Sequence, residues 1–270
     1  MNALSKERQA QIVSALIEGN SIRSTARMFN VEHKTVMRVL LRTGEHCRRI
    51  LDEKLRGIHS RFIQVDEIWT FVGVKEARLA VRHNPLTMGD QYVFIAMDAD
   101  TKLIPSFRIG KRNAENAYYL MRDLEERLAT RVQLTTDGFR SYINAVEDSF
   151  GTDVDYAMLI KTYSEAESLE KRYSPGQIVN ALPIPVTGDP KPWKISTSYI
   201  ERQNLTIRMQ LRRFTRLTNA FSKKLENLKA ACAVHFAWYN FCRVHSTLRI
   251  TPAMAANLSR EIWPLERLIA

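Results

Sequence analysis

The sequence predicts an α/β chain: an N-terminal helix-turn-helix unit, then a mixed sheet with helices against it, then C-terminal helices. Three observations carry this. Apolar residues recur at helical spacing through the first 55 positions, and the pattern switches near residue 61 to short apolar runs with strand character. From residue 113 onward, helical and strand patterns alternate.

The first helix is expected over 4–17, with Ser5 as its cap and Ile12, Ala15 and Leu16 on one face. Gly19-Asn20 stops it. Ser21 can cap a second helix over 22–29, and Asn30-Val31 turns the chain into a third over 32–42, with Val36, Val39 and Leu40 inward. In a helix-turn-helix the second helix of the pair lies in the major groove, which makes His33, Lys34, Thr35 and Arg38 the side chains placed to touch DNA. Three short helices also occur in plain bundles and dimerisation hairpins, and spacing alone does not separate these. Residues 42–57, with Arg48, Arg49, Lys54 and Arg56, are expected to link two domains and to track phosphates.

A strand over 61–72 opens the second domain. Phe62, Ile63, Val65, Ile68, Trp69, Phe71 and Val72 put bulky side chains at both parities, so both faces should be buried. Asp66 and Glu67 sit in its middle. Burying an unpartnered carboxylate costs roughly several kcal/mol, so either a cation or network accompanies them or the strand ends there and they reach solvent or an Arg. After turn signals at Asn84-Pro85 and Gly89-Asp90, strands over 92–97 and 103–109 complete a meander. A helix over 113–129 carries Ala117, Leu120, Leu124 and Leu128 at helical spacing. A strand over 132–136 ends at Asp137-Gly138, followed by a helix over 139–150 and a strand near 156–160. Residues 161–194 hold much of the proline, including Ser174-Pro175-Gly176 and Pro183-Ile184-Pro185, without a sustained period, and read as an inserted loop. Helices over 196–217 and 223–239 and a tail follow. The expected division is 1–57 for the helix-turn-helix domain and linker, 58–218 for the α/β domain and 219–270 for a C-terminal helical segment.

Charge narrows the function classes. Forty Lys and Arg against 29 Asp and Glu give a formal net charge of +11, which points to a polyanionic partner, nucleic acid first and a membrane surface second. No apolar run spans a bilayer and no signal-peptide core opens the chain, so a cytosolic protein without membrane association is expected. The three cysteines, Cys47, Cys232 and Cys242, form no CxxC pair, and the six histidines show no zinc-protease spacing.

Three acids stand out by their order. Asp66 lies in the first strand, Asp137 ends the fourth and Glu201 opens a late helix. Each has a plain alternative: Asp137-Gly138 is a common turn, and Ser198-Tyr199-Ile200-Glu201 fits a capping box. Asn204 at i+3 and Arg208 at i+7 share the face of Glu201. Between 196 and 224 the bases Arg202, Arg208, Arg212, Arg213, Arg216, Lys223 and Lys224 accompany this single acid. One acid in a cationic field suits a metal ligand beside bound phosphates.

The blocks Val65-Asp66-Glu67-Ile68-Trp69-Thr70-Phe71-Val72-Gly73, Thr136-Asp137-Gly138-Phe139-Arg140-Ser141-Tyr142 and Tyr199-Ile200-Glu201-Arg202-Gln203-Asn204-Leu205-Thr206-Ile207-Arg208 resemble the signatures of insertion sequence 1 family transposases. Trp238-Tyr239-Asn240-Phe241, Arg243, His245 and Thr251-Pro252-Ala253 are similar to a C-terminal motif of bacterial transposases. The resemblance implies a ribonuclease H-like catalytic core whose Asp-Asp-Glu triad, Asp66, Asp137 and Glu201, is both catalytic and metal-binding. Two Mg²⁺ ions, with Mn²⁺ as substitute, would serve strand cleavage at the element's ends and strand transfer into target DNA. Arg202, Asn204, Arg208, Arg212 and Arg213 would hold double-stranded DNA, and pairing of two ends implies a homodimer or larger assembly. A bacterial or archaeal, nucleoid-associated protein is implied. The chain lacks the cysteine-based zinc module that many such relatives carry near the N-terminus. Two rivals predict different behaviour: a ribonuclease H-like nuclease would cut without joining, and a helix-turn-helix regulator would tolerate loss of each acid.

Overall fold

In the computed structural model, which describes residues 4–164 and 176–270, the first two helices begin where their serine caps stand. Ser5 Oγ accepts from the Arg8 amide at 3.2 Å and Ser21 Oγ from the Ser24 amide at 3.0 Å, opening α1 (Lys6–Ile17) and α2 (Ile22–Met28). The third helix, α3, is longer than expected. It runs His33–Lys54, so most of the segment expected as a linker is its second half. Thr43, Gly44, Cys47, Ile50 and Leu51 continue the buried stripe begun by Val36, Val39 and Leu40, while Arg48 and Arg49 form the exposed face. The bases that resembled a solvated linker belong to an amphipathic helix.

The buried stripe of α3 packs on a helix near the C-terminus, α7 (Leu225–Phe241). The approach is close because Gly44 lacks a side chain: a Cβ there would stand 2.5 Å from Ala230 Cβ and 2.6 Å from its Cα. Ala at an interior helix position is favoured over Gly by about 1 kcal/mol, but overpacking a tight contact costs roughly 1–3 kcal/mol. Gly44→Ala is therefore expected to lower the urea unfolding midpoint; an unchanged or raised midpoint would mean that the two helices part without cost.

Six strands form one sheet in the order β3-β2-β1-β4-β5-β6, where β1 is Phe62–Val72, β2 Gly89–Asp98, β3 Ser106–Gly110, β4 Val132–Thr136, β5 Val154–Tyr163 and β6 Ile178–Thr187. The first three make the expected antiparallel meander, and β4 and β5 lie parallel to β1 and to each other. This is the mixed sheet of the α/β class expected from the sequence, extended by β6 at one edge. β3 starts later than expected because Asn240 of α7 holds the Ile104 backbone on both sides: its Oδ1 accepts from Ile104 N at 3.0 Å and its Nδ2 donates to Ile104 O at 2.9 Å.

Two helices, α4 (Ala114–Glu125) and α5 (Ser141–Phe150), cover one face of the sheet over Ile63, Val65, Leu134 and Tyr156. The other face, with Ile68, Val93 and Ile95, shares its core with α3, α7 and α6 (Ser198–Gln210). A short helix, α8 (Pro252–Ala255), is capped by Thr251 Oγ1, which accepts from the Met254 amide. Among the described residues, no helix is long and apolar enough to cross a membrane.

The expected loop over 161–194 is corrected in part. β5 continues through Tyr163, and β6 pairs antiparallel with it despite Pro183 and Pro185. An edge strand tolerates proline because one row of its amides has no partner strand to serve, and β6 is an edge. The Ser174-Pro175 part of the expected turn lies outside the described residues. α6 also ends sooner than expected: Leu211 turns to extended backbone (φ −98°, ψ 104°) and buries its side chain in the core.

Candidate active site

Parallel pairing of β1 and β4 ends at Val65 and Thr136, so the residues just beyond, Asp66 and Asp137, lie beside each other where β4 stops. Even-numbered β1 residues face α6. Gln64 Oε1 accepts from the Tyr199 and Ile200 amides at 2.9 and 3.1 Å, which fixes the first turn of α6 over the strand. Asn204, one turn beyond Glu201, then donates from Nδ2 to Asp66 Oδ2 at 2.8 Å. Alternation sends Glu67 to the opposite face, toward α4 and α5. With β4 already ended, its longer side chain still reaches the cluster. Carboxylate oxygens of Asp66, Glu67 and Asp137 all lie within 4.8 Å of one another.

Cations stand around these acids. Arg112, between β3 and α4, places Nε 3.4 Å from Glu67 Oε2 and Nη2 3.5 Å from Asp137 Oδ2, with its guanidinium 4.0 Å from the centre of the Phe139 ring. Glu201 is paired with Lys161 of β5 and accepts from Thr197 Oγ1 at 2.7 Å, so it stands outside the tight set of three. No capping box forms, since the first-turn cap residue is Thr197 and no side chain caps the helix. All four acids nonetheless line one cleft of about 670 Å³, with Asn204, Arg208, Arg216 and Lys161.

Electrostatics follow from this crowding. Burial, then the neighbouring Asp137 and Glu67 carboxylates, push the Asp66 carboxyl up to about 7. Burial and Asp137 do the same to Glu67, also to about 7, and burial raises Asp137 as well. Burial, then Glu67, hold the Tyr142 hydroxyl well above its ordinary range. Arg208 moves the other way, down to about 10, through burial and then Arg216, with Asp66 opposing.

The donor set fits a hard divalent cation. It offers only carboxylate oxygens at close range. A cation would relieve the mutual repulsion that raises these carboxyls. Among the described residues this is the one group of three or more candidate ligands at such spacing.

The structure brings together Asp66, Asp137, Glu201, Asn204 and Arg208. It leaves Arg202 exposed outside the cleft, and Arg212 and Arg213 line a second cleft together with His33. Lys34 and Arg38 are exposed on the first turns of α3, with Thr35 half-buried between them. Sequence reasoning left open whether Glu67 pointed outward and did not reach Arg112 or Lys161. Alternation argues against Glu67, and only the early end of β4 reverses that reading; no local pattern marks the two cations.

No protein-family model matches the chain, and no curated protein matches it. Among solved structures it is similar to the Mos1 strand transfer complex, at 18% identity and TM-score 0.25, over 58% of this chain and 59% of that one. It is also similar to the Mos1 mariner paired end complex with Mn, at 15% identity and TM-score 0.23, over 58% and 60%. A third similarity, to the piggyBac transposase synaptic complex with hairpin DNA, has 11% identity and TM-score 0.44 and covers 99% of this chain and 70% of that one. The chain thus spans less than two thirds of the Mos1 chains that it matches.

Proposed function

We propose that the chain is a DDE-type DNA transposase of the insertion sequence 1 kind, which binds element ends and cuts and joins DNA strands at one acidic site. The observation that carries this is the clustering of Asp66, Glu67 and Asp137 beside Glu201, at the end of β4, in a cleft whose remaining charged lining, among the described residues, is the cationic Lys161, Arg208 and Arg216. A nucleic-acid phosphate is drawn to such a rim and the acids repel it unless their charge is neutralised.

Asp66 and Asp137 would hold a divalent cation, Mg²⁺ or Mn²⁺, with Glu67 and Glu201 completing the ligand set; four carboxylates are sufficient donors for the two ions that the resemblance implies. Bound there, the cation supplies polarisation of the scissile phosphate and a lowered pKa for an attacking water or 3′-hydroxyl. Asn204 orients the Asp66 carboxylate through its 2.8 Å bond. Arg208 and Arg216 hold strand phosphates against the cleft, an affinity that falls as salt rises. Arg112 keeps Glu67 and Asp137 turned toward each other. His33, Lys34, Thr35 and Arg38 would meet double-stranded DNA from the start of α3 within the helix-turn-helix unit of 1–57, and two ends held together require at least a homodimer.

Supercoiled plasmid incubated with the purified protein and Mg²⁺ or Mn²⁺ is expected to be nicked, with no nicking in EDTA. A protein that binds DNA yet nicks nothing with either ion would be a regulator, and the proposal would fail.

A further inference from the structure

A second cleft, of about 750 Å³, opens between the helix-turn-helix unit and the segment that joins α6 to α7. Its floor is apolar, formed by Ile17, Met37, Phe221 and Val234. Its charged lining is cationic, with Arg23, Arg212, Arg213 and Lys223 beside His33, and among the described residues no Asp or Glu lines it. Arg213 has a hydroxyl for a partner rather than a carboxylate: its Nη1 donates to Ser222 Oγ at 3.0 Å. The buried wall carries Asn227, only 7% exposed, whose Oδ1 has no hydrogen-bond partner among the described residues.

These features belong to different parts of one ligand. An apolar floor with an aromatic ring takes a flat heterocycle, an unpartnered amide inside it recognises a donor-acceptor edge, and guanidinium groups at the mouth take a phosphate. A buried amide oxygen left alone costs roughly 1–3 kcal/mol, which a base amino group would offset. A plain anion would use the rim and leave the floor and Asn227 unexplained.

We infer that this cleft binds one nucleotide of a DNA strand, its base turned out of the stack onto the apolar floor and its phosphate held by Arg212 and Arg213. The source is bound DNA because of position. Arg208 and Arg216 line the acidic cleft while Arg212 and Arg213, between them in sequence, line this one, so one cationic segment borders both clefts. His33, at the start of α3, places the same mouth beside the surface proposed to meet duplex DNA. The inference rests on the DNA reading for its source and not on the acidic cluster.

The test uses the full chain in EDTA, so that the acids and their cation play no part. The fluorescent 2-aminopurine deoxynucleoside 5′-monophosphate, inorganic phosphate and a short single strand carrying one 2-aminopurine are titrated separately. The mononucleotide is expected to bind saturably and at least about tenfold tighter than phosphate, and the strand tighter again. Asn227→Ala removes the amide, and Ala220→Trp fills the mouth from its half-exposed edge without touching the buried wall. Each should weaken both nucleotide probes by about tenfold, with phosphate little changed for Asn227→Ala. Nucleotide binding no tighter than phosphate, or unaltered by both variants, would overturn the inference. A mononucleotide that outbinds the strand would overturn the DNA source. Failure of plasmid nicking with these titrations intact would instead count against the transposase reading alone.

Discussion

Asp66→Asn and Asp137→Asn should each lower metal-dependent strand cleavage by about 10³-fold or more while leaving the fold intact. Both side chains sit where the β1–β4 pairing ends, and each contributes a carboxylate oxygen to the 4.8 Å cluster. Replacing either oxygen by an amide nitrogen keeps the volume and removes a hard anionic ligand. Asp66 has the wider reach, because Asn204 donates to its Oδ2 and Asp137, Glu67 and Glu201 all act on its charge. A loss of only a few-fold in either variant, measured by single-turnover cleavage at saturating Mn²⁺, would mean that the cluster is not where the cation acts. Glu201→Gln should share the large loss although Lys161 now engages its carboxylate, since it lines the same cleft.

The same crowding makes Asp66 and Glu67 withdraw stability from the metal-free protein as pH rises, opposite to the usual behaviour of paired carboxylates. Asp66 and Glu67 are raised to about 7 in the folded chain, so between their ordinary values near 4 and about 7 the folded state binds more protons than the unfolded one. Their contribution is complete below the ordinary value and is lost as pH climbs through the raised one. The carboxyls held low by arginine or lysine partners, Asp52, Asp155 and Glu76 among them, act only at more acidic pH, whereas burial holds His235 down to about 3 and so favours the folded state as pH rises toward the ordinary histidine value; the carboxyl effect is therefore read against Asp66→Asn, which shares that histidine. Thermal melting in EDTA should show the stability of the unaltered protein falling relative to that of Asp66→Asn from pH 5 to pH 8, by roughly 2–4 kcal/mol. At pH 8, Asp66→Asn should melt above the unaltered protein, and Mg²⁺ should raise the Tm of the unaltered protein only. A Tm difference between the two proteins that stays flat across this range without metal would contradict the repulsion argued for the cluster.

Much of this site was legible because strand order and charge leave local marks. Acids inside the apolar run of β1, at the end of β4 and on a helix otherwise lined with bases have no ordinary packing role, and the parallel pairing of β4 beside β1 brings the first two together. The Ser5 and Ser21 caps likewise place α1 and α2 to within two residues. The rest depended on distant contacts. Arg48, Arg49 and Lys54 resembled a linker because composition weighs more on the eye than the Cys47, Ile50 and Leu51 stripe, and what makes the stripe matter is α7, far away in sequence. Pro183 and Pro185 argued against a strand, and only the edge position of β6 permits one. Glu67 belongs to the cluster because β4 ends at Thr136, opposite Val65, and does not continue alongside Glu67, a fact about β4 rather than about Glu67. Lys161 reaches Glu201 from β5 beyond the length first assigned to that strand.

The central claim is that one acidic cleft both cuts and joins DNA. A duplex carrying the element's end, a target plasmid and Mg²⁺ or Mn²⁺, incubated with the protein and in parallel with Asp137→Asn, tests it most directly by the appearance of covalently joined strands. The account requires joined product that the variant abolishes. Cutting without joining would make the protein a nuclease, and joined product that persists in Asp137→Asn would place the chemistry elsewhere.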